Sequence, residues 1–235
     1  MMRYRLNHAL LRVKRMRRTI DYSVNHLHFE AALEASDTGR RYYRPVFLTL
    51  TYRNGDDWEA GHMGAFTRAV RKWFERHGET VRMGWVAETQ KRGAIHYHAV
   101  LFVPRHLRMP CPDRCGWWPW GMSKVEKARN PVGYLTKYAS KMGEHESQRL
   151  PRGARMHGVC GLSAQRRMWR RSTMVARWVQ DAFADALGTL RDLDLVKVAG
   201  GYLDRGSGLV VASPWQVVID DNRQAWAVQR MEVAA

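Results

Sequence analysis

Apolar runs and turn residues divide the middle of the chain into strands and one helix. Residues 45–52 are apolar and β-branched and lead into an Asn-Gly pair, which predicts a strand that ends in a turn. Residues 81–89 and 94–103 predict two further strands, and the turn-like residues 90–93 between them indicate an antiparallel hairpin. Residues 61–77 carry apolar side chains at helical spacing with basic residues interleaved, so we expect an amphipathic helix with a basic outer face.

The second half of the chain predicts two helices and a final hairpin. One helix should begin after an Asn-Pro pair at Pro131 and run to about Met142, where the following glycine can end it. A second, longer helix is marked by an i, i+3, i+4, i+7 apolar stripe over residues 175–187, and it should pack on a sheet. The apolar runs 209–211 and 217–219 are flanked by Gly-rich breaks and suggest a last hairpin.

Length and composition favour one domain with extensions. The chain has 235 residues and is 45% hydrophobic, which is enough to enclose one sizeable core. Residues 1–41 predict a basic arm or a helix lying on a larger body, and a solvated face or a loose tail is the equal alternative. We expect the catalytic core over residues 42–145, with the helices and hairpin of 146–235 completing the same domain.

Net charge points to a polyanionic partner. Lys and Arg total 39 against 22 Asp and Glu, a formal net charge of +17, which favours nucleic acid, although a basic protein can also be merely soluble. Three cysteines and no signal peptide argue against a disulfide framework and for a reducing compartment, of which the cytoplasm fits best. No run of about 18 apolar residues occurs, so no membrane span is expected.

The densest candidate chemistry is a His-Tyr-His strand. Side chains alternate along a strand, so His96 and His98 share one face, while Tyr97 takes the other. Glu88, on the preceding strand, can place a carboxylate beside the imidazoles, and this donor set suits Mg²⁺ or Mn²⁺, with Zn²⁺ chemically allowed. The alternatives are ordinary polar-face or core histidines and a surface ion pair between Glu88 and the basic residues 91–92.

A repeated Tyr-x-x-Lys supplies candidate nucleophiles. At 3.6 residues per turn, Tyr134, Lys137, Tyr138 and Lys141 share one helix face, and the apolar positions form another. Tyrosine is a poor nucleophile while protonated, so a nearby ammonium and a metal-polarised phosphate are useful companions. Tyrosines and lysines on a solvated helix face are also common, which is the alternative interpretation.

These motifs, in this order, resemble the HUH endonucleases, specifically the rolling-circle replication initiators of small single-stranded DNA phages and plasmids. The resemblance covers residues 45–142. It includes the apolar-Leu-Thr-Leu-Thr strand, the Trp-x-x-Gly element and the two motifs above, at Phe47–Thr51, Trp118–Gly121, His96–His98 and Tyr134–Lys141.

The resemblance implies both fold and mechanism. The fold would be α+β, an RRM-like antiparallel sheet of about five strands with helices packed on one side. His96, His98 and, less strictly, Glu88 would bind Mn²⁺ or Mg²⁺, Tyr134 and Tyr138 would be the nucleophiles, and Lys137 would lie near the phosphate or the metal. The partner would be single-stranded DNA at an origin, with a hairpin and the host replication machinery as further candidates, in the cytoplasm of a bacterial host.

Three further features could contact DNA or metal. Trp117, Trp118 and Trp120 could stack on unpaired bases, or could equally be core residues. Arg166 and Arg167 belong to a basic run that could contact phosphates, as could Lys141, or could form a solvated helix face. A soft-metal clip at Cys111 and Cys115 near His106 is a weak alternative, because its spacing is loose and its fourth ligand is unidentified.

Two rival functions fit the same residues. A single-strand transposase would use the same HUH chemistry for another purpose, whereas a conjugative relaxase normally places its nucleophile before the histidines. A non-catalytic RRM-like binder would use the histidines and tyrosines only to stack on bases. Formation of a covalent DNA adduct separates the catalytic interpretations from the binder.

Overall fold

The computed structural model describes residues 2–37, 42–90, 93–187 and 193–230. They form two compact units, a central unit of Val13–Leu162 and a terminal unit that joins Met1–Arg12 to Ser163–Ala235. The helices are α1 His8–Asp37, α2 His62–Arg76, α3 Pro131–Lys141, α4 Glu144–Gln148, α5 Ala164–Met174 and α6 Arg177–Leu187. The strands are β1 Arg3–Arg5, β2 Tyr43–Tyr52, β3 Met83–Thr89, β4 Ile95–Pro104, β5 Gly121–Lys127, β6 His157–Cys160, β7 Leu195–Val198, β8 Gly201–Asp204, β9 Val210–Ala212, β10 Trp215–Ile219 and β11 Ala225–Gln229.

The central unit is built on an antiparallel sheet of five strands in the order β5-β2-β4-β3-β6. This confirms the predicted α+β class, the first strand and the β3–β4 hairpin. The hairpin register pairs Glu88 with His96 and Val86 with His98, so the predicted carboxylate and imidazoles start from neighbouring backbone positions. Strand β5 was not predicted, and it forms one edge of the sheet beside β2.

Helices cover both faces of this sheet, which corrects the arrangement that the resemblance implied. On one face the apolar side of α2, with Phe66, Val70 and Phe74, packs against the odd-numbered residues of β4. On the other face α1 and α3 pack against the even-numbered residues, Val100 and Phe102 among them. The histidines of β4 are even-numbered, so they share the face that α1 and α3 occupy.

The basic N-terminal segment is a helix that packs on the sheet rather than a loose tail. Six apolar residues of α1 are buried in the core that it shares with α3; these are Val13, Met16, Ile20, Val24, Leu27 and Ala31. Gly84 on β3 allows this close approach, because a Cβ there would lie 2.9 Å from Val24 and 3.3 Å from Leu135 of α3. Residues 38–41 of the predicted arm lie outside the described residues.

The terminal unit contains two three-stranded sheets, β1-β11-β10 and β7-β8-β9. The predicted longer helix over residues 175–187 is in fact α6, which begins at Arg177 and is 11 residues long, the same length as α5 before it. Its buried Val179 and Phe183 pack with Leu195 of β7, as the prediction of a helix on a sheet required.

The predicted last hairpin is wrong in its pairing. The run 209–211 contributes β9, which pairs with β8, whereas 217–219 lies in β10, which pairs with β11. Within the described ranges, no helix combines the length and the hydropathy that crossing a membrane needs. The predicted domain boundaries after residues 41 and 145 stay predictions.

Candidate active site

Strand β4 separates its polar residues onto the two faces of the sheet. His98 and His96 lie on the face with α1 and α3, and Tyr97 is buried on the α2 side, where its hydroxyl accepts a hydrogen bond from Trp58 Nε1 at 2.8 Å. Tyr97 is therefore a core residue, and the two histidines alone face the Tyr/Lys helix. The alternation expected from the sequence accounts for this separation.

Glu88 connects the sheet to the Tyr/Lys helix. Its Oε2 lies 2.7 Å from Nε2 of His98, and its Oε1 accepts a hydrogen bond from Lys141 Nζ at 2.9 Å. Thr49 Oγ1, on β2, lies 3.3 Å from Nδ1 of His98. A carboxylate accepts at Nε2–H, so Nδ1 is the acceptor and Thr49 the donor in this arrangement.

Burial and charge set the protonation of this cluster. Burial lowers the pKa of His98 to about 4 despite its hydrogen bond to Glu88, so the imidazole is neutral at physiological pH. Burial alone would raise the pKa of Glu88, but the hydrogen bonds from Lys141 and His98 outweigh it and hold that pKa below its ordinary value. The site therefore contains a neutral imidazole beside an ionised carboxylate.

Helix α3 forms where its capping residues dictate and displays its tyrosines because its other face is buried. The side chain of Asn130 accepts from the backbone N–H of Gly133 at 2.8 Å, and Pro131 occupies the first turn. Leu135 and Ala139 are buried against the sheet. The helix thus has the apolar face and the Tyr/Lys face that its sequence predicts.

Tyr138 lies directly on the histidine of the cluster. Its ring stacks on His98 with centroids 3.6 Å apart and planes 19° apart, and Lys141 Nζ lies 4.6 Å from its ring centroid. Tyr134, one turn earlier, is 37% exposed and stacks on Phe47 at 4.8 Å. Both tyrosines thus lie on the sheet face that carries the cluster, whereas Lys137 is exposed to solvent.

Phe47 and Thr49 were not predicted as site residues, although the Leu-Thr-Leu-Thr strand contained the signal. Phe47 is buried, and its ring also stacks with His98 at 5.7 Å and with Tyr138 at 5.6 Å. Residues 47, 49 and 51 alternate onto the cluster face of β2, so the same period that sorts the histidines identifies them. Phe47 acts as the hydrophobic base on which the site is assembled.

A cleft opens beside the cluster, over the edge of the sheet that the helices leave uncovered. It has a volume of about 530 Å³. Its lining combines aromatic, hydroxyl and charged groups of β2, β4, β5 and α3; these are Phe47, Thr49, Thr51, His98, Met122, Ser123, Lys124, Glu126 and Tyr138. Met122 is 69% exposed, so the cleft is open to an extended ligand rather than closed around a small one.

The three predicted metal ligands share one face but are not gathered around a common point. The rings of His96 and His98 are 6.3 Å apart between centroids, and Nδ1 of His96 lies 3.2 Å from the amide of Gln90. Across the described part of the chain, no three His, Cys, Asp or Glu side chains are grouped closely enough to hold a metal ion. Their donor types nevertheless suit a divalent cation, and Glu88 already binds one cationic group, the ammonium of Lys141.

The cysteines are not arranged as a metal clip. Cys111, Cys115 and Cys160 are all free thiols, and His106 is 3.7 Å from Glu79 rather than with the cysteines. Burial raises the pKa of Cys115, which disfavours the thiolate that a soft metal would need.

The tryptophans lie away from the cluster, in the core on the α2 side of the sheet. Trp118 is fully buried, and its Nε1 donates to the carbonyl of Thr51 at 3.1 Å, so both faces of its ring are unavailable to bases. Trp117 and Trp120 are partly buried against the same core. The core alternative therefore describes Trp118.

Arg166 and Arg167 are on α5 of the terminal unit, and the Arg166 guanidinium lies 4.5 Å over the ring of Trp169. The ion-pair alternative for Glu88 involved residues 91–92, which lie outside the described residues. The partners that the structure gives Glu88 are His98 and Lys141.

Fold and site together define a class of protein: an α+β unit whose antiparallel sheet carries two imidazoles and a carboxylate on one face, beside a helix with paired tyrosines and lysines. Residues 45–143 match the model of a family of replication-associated proteins, the ORF2 type. No curated protein and no solved structure matches the chain. The matched segment runs from β2 to the end of α3 and contains the whole cluster, and it is consistent with a rolling-circle replication protein.

Proposed function

We propose that the central unit nicks and rejoins single-stranded DNA at a replication origin through a 5′-phosphotyrosine intermediate. The observation that carries this proposal is the stacking of Tyr138 on His98, within a cluster that also holds Glu88 and Lys141. The match to a replication-associated family supports the same substrate class. Host replication machinery and the cytoplasm of a bacterial host are the corresponding partner and location.

The cleft beside the cluster is the proposed path of the DNA strand. Single-stranded nucleic acid binds where a basic groove lies beside exposed side chains that can contact bases. Lys124 supplies charge within the cleft, Met122 supplies apolar surface, and the hydroxyls of Thr49 and Thr51 supply hydrogen bonds. A strand lying in this cleft passes directly beside Tyr138, which lines it.

His96, His98 and Glu88 are the residues that would hold Mn²⁺ or Mg²⁺. A bound divalent cation would neutralise charge on the non-bridging oxygens of the scissile phosphate. Thr49 can accept from Nδ1–H as readily as it donates to Nδ1, so it supports His98 in either tautomer. Lys141 would then be released from Glu88 toward the phosphate.

The bond changes are balanced without a nucleotide cofactor. The hydroxyl of Tyr134 or Tyr138 loses its proton and its oxygen attacks phosphorus in line with the P–O3′ bond, which breaks. The 3′ oxygen takes up a proton and leaves as a 3′-hydroxyl. A later 3′-hydroxyl attacks the phosphotyrosine and releases the tyrosine, so the strand is resealed. Ammonium groups of Lys137 and Lys141, on the same helix, stabilise the charged phosphate.

A denaturing gel tests the proposal. The protein is incubated with an origin-bearing single strand and Mn²⁺, and a covalent protein–DNA band is expected. Replacement of both Tyr134 and Tyr138 by Phe should abolish the band, whereas Tyr42→Phe, outside the cluster, should leave it unchanged. DNA binding without any covalent band would favour the non-catalytic RRM-like binder instead.

A further inference from the structure

One side chain of the N-terminal helix closes the end of the tyrosine helix. Arg17 of α1 donates from Nε to the carbonyl of Ala139 at 3.2 Å, and from Nη2 to the carbonyls of Ser140 at 2.8 Å and Met142 at 2.9 Å. The contacts join residues that are 122 to 125 positions apart in the chain. A guanidinium is suited to this task because its planar fork offers several donors in fixed geometry.

Helix α3 needs this contact because its own sequence does not cap it. The last four carbonyls of a helix have no partner within the helix and are commonly satisfied by a left-handed glycine that follows. The sequence suggested that Gly143 would do this. Instead Met142 follows the helix in an extended conformation, with φ −69° and ψ 106°, and Gly143 is not among the residues with positive φ.

The capped carbonyls flank the residues that form the site. Ala139 and Ser140 come directly after Tyr138, and Met142 comes directly after Lys141. Fraying of this last turn would move Tyr138 off His98 and Lys141 away from Glu88. Tyr134 would be affected less, because it lies one turn nearer to the Asn130 cap at the other end of the helix.

We propose that Arg17 is a positioning residue that holds the last turn of α3, and thereby determines how Tyr138 and Lys141 are presented to the phosphate. Its catalytic consequence rests on the proposed function, but its structural consequence does not. The proposal gives the basic N-terminal helix a role in the site besides general charge. It also predicts that Arg17 biases which of the two tyrosines reacts.

The first arm of the test uses the free protein and needs no activity. In Arg17→Gln, hydrogen exchange at the amides of residues 138–141 should become faster on the order of tenfold, because the last turn opens more often. Arg15→Gln is the matched control: it removes the same charge from α1, but Arg15 is exposed and points about 160° away around the helix. It should leave exchange in α3 unchanged. Arg17→Lys, which keeps the charge but not the fork, should fall between the two.

The second arm measures the distribution of the DNA adduct between the tyrosines. In Arg17→Gln the share of adduct on Tyr138 should fall relative to Tyr134, and DNA affinity should match that of Arg15→Gln. Loss of folding in Arg17→Gln would pass the test to Arg17→Lys, for which the same shifts in smaller size are expected. Unchanged exchange in α3, or equal changes in both the Arg17 and Arg15 variants, would overturn the proposal. An absence of adduct in the unmodified protein would contradict the proposed function and leave the exchange result to decide on Arg17.

Discussion

Replacement of Glu88 by Gln tests whether the carboxylate organises the site. Gln keeps the shape and one oxygen acceptor for His98, but it removes the anion that Lys141 contacts. An exposed ion pair contributes about 0.2–1 kcal/mol, whereas a hydrogen bond to a charged group contributes about 1.5–3 kcal/mol. The side chain of Glu88 is only 21% exposed and part of the His98 bond survives, so we expect a loss of about 1–2 kcal/mol.

The chain offers a matched control for this substitution. Glu126 pairs with Lys124 at the same 2.9 Å separation, but with side chains 45% and 71% exposed. Glu126→Gln should therefore cost no more than about 0.5 kcal/mol. Thermal unfolding should show a Tm lower by about 2–8 °C for Glu88→Gln, since 1 kcal/mol corresponds to about 2–4 °C at this size.

Metal binding provides the second readout of the same pair of variants. Mn²⁺ affinity, measured by titration calorimetry, should fall roughly tenfold or more in Glu88→Gln, because a charged oxygen ligand is lost. It should be unchanged in Glu126→Gln. Equal Tm shifts in the two variants, together with equal Mn²⁺ affinities, would refute the reasoning that Glu88 is the centre of the cluster.

Three further predictions follow from the site, the charge and the packing. Replacing His96 and His98 together by Ala should abolish metal-dependent nicking while circular dichroism stays native; nicking that persists with and without metal would remove the metal hypothesis. The affinity for single-stranded DNA should fall with a slope of log affinity against log salt of roughly −2 or steeper, since several phosphates are contacted, and a flat dependence would contradict this. Gly84→Ala should cost about 1–3 kcal/mol in denaturant unfolding, because its Cβ crowds buried side chains of α1 and α3. Gly64→Ala, which meets only the tip of Arg68 at 3.5 Å, should be neutral or stabilising.

Local signals account for the parts of the fold that were predicted correctly. The β-branched run of β2, the hairpin of β3 and β4, and the Asn-Pro start of α3 each specify their structure within a few residues. The strand period also placed His96 and His98 on one face. These features depend on neighbours in the chain, which the sequence displays directly.

Features that depend on distant partners were not predictable in the same way. Strand β5 lies at the sheet edge and alternates polar residues, so it lacks an apolar run. The final apolar runs are three residues long and cannot specify a partner; β11, which pairs with one of them, also pairs with β1 near the N-terminus. Trp118 illustrates a different limit, because an aromatic residue fits a core and a stacking surface equally well until its burial is known. The Arg17 cap joins two helices across the chain and leaves no local pattern.

The most direct test of the central claim is the location of the covalent bond between protein and DNA. Trypsin cuts after Arg129, Lys137 and Lys141, so it separates Tyr134 and Tyr138 into two peptides. After incubation with an origin-bearing single strand and Mn²⁺, mass spectrometry of the digest should find a nucleotide on one or both of these peptides and on no other. A nucleotide linked to any other peptide, or a covalent adduct that persists when both tyrosines are Phe, would contradict the assignment of this helix as the source of the nucleophile.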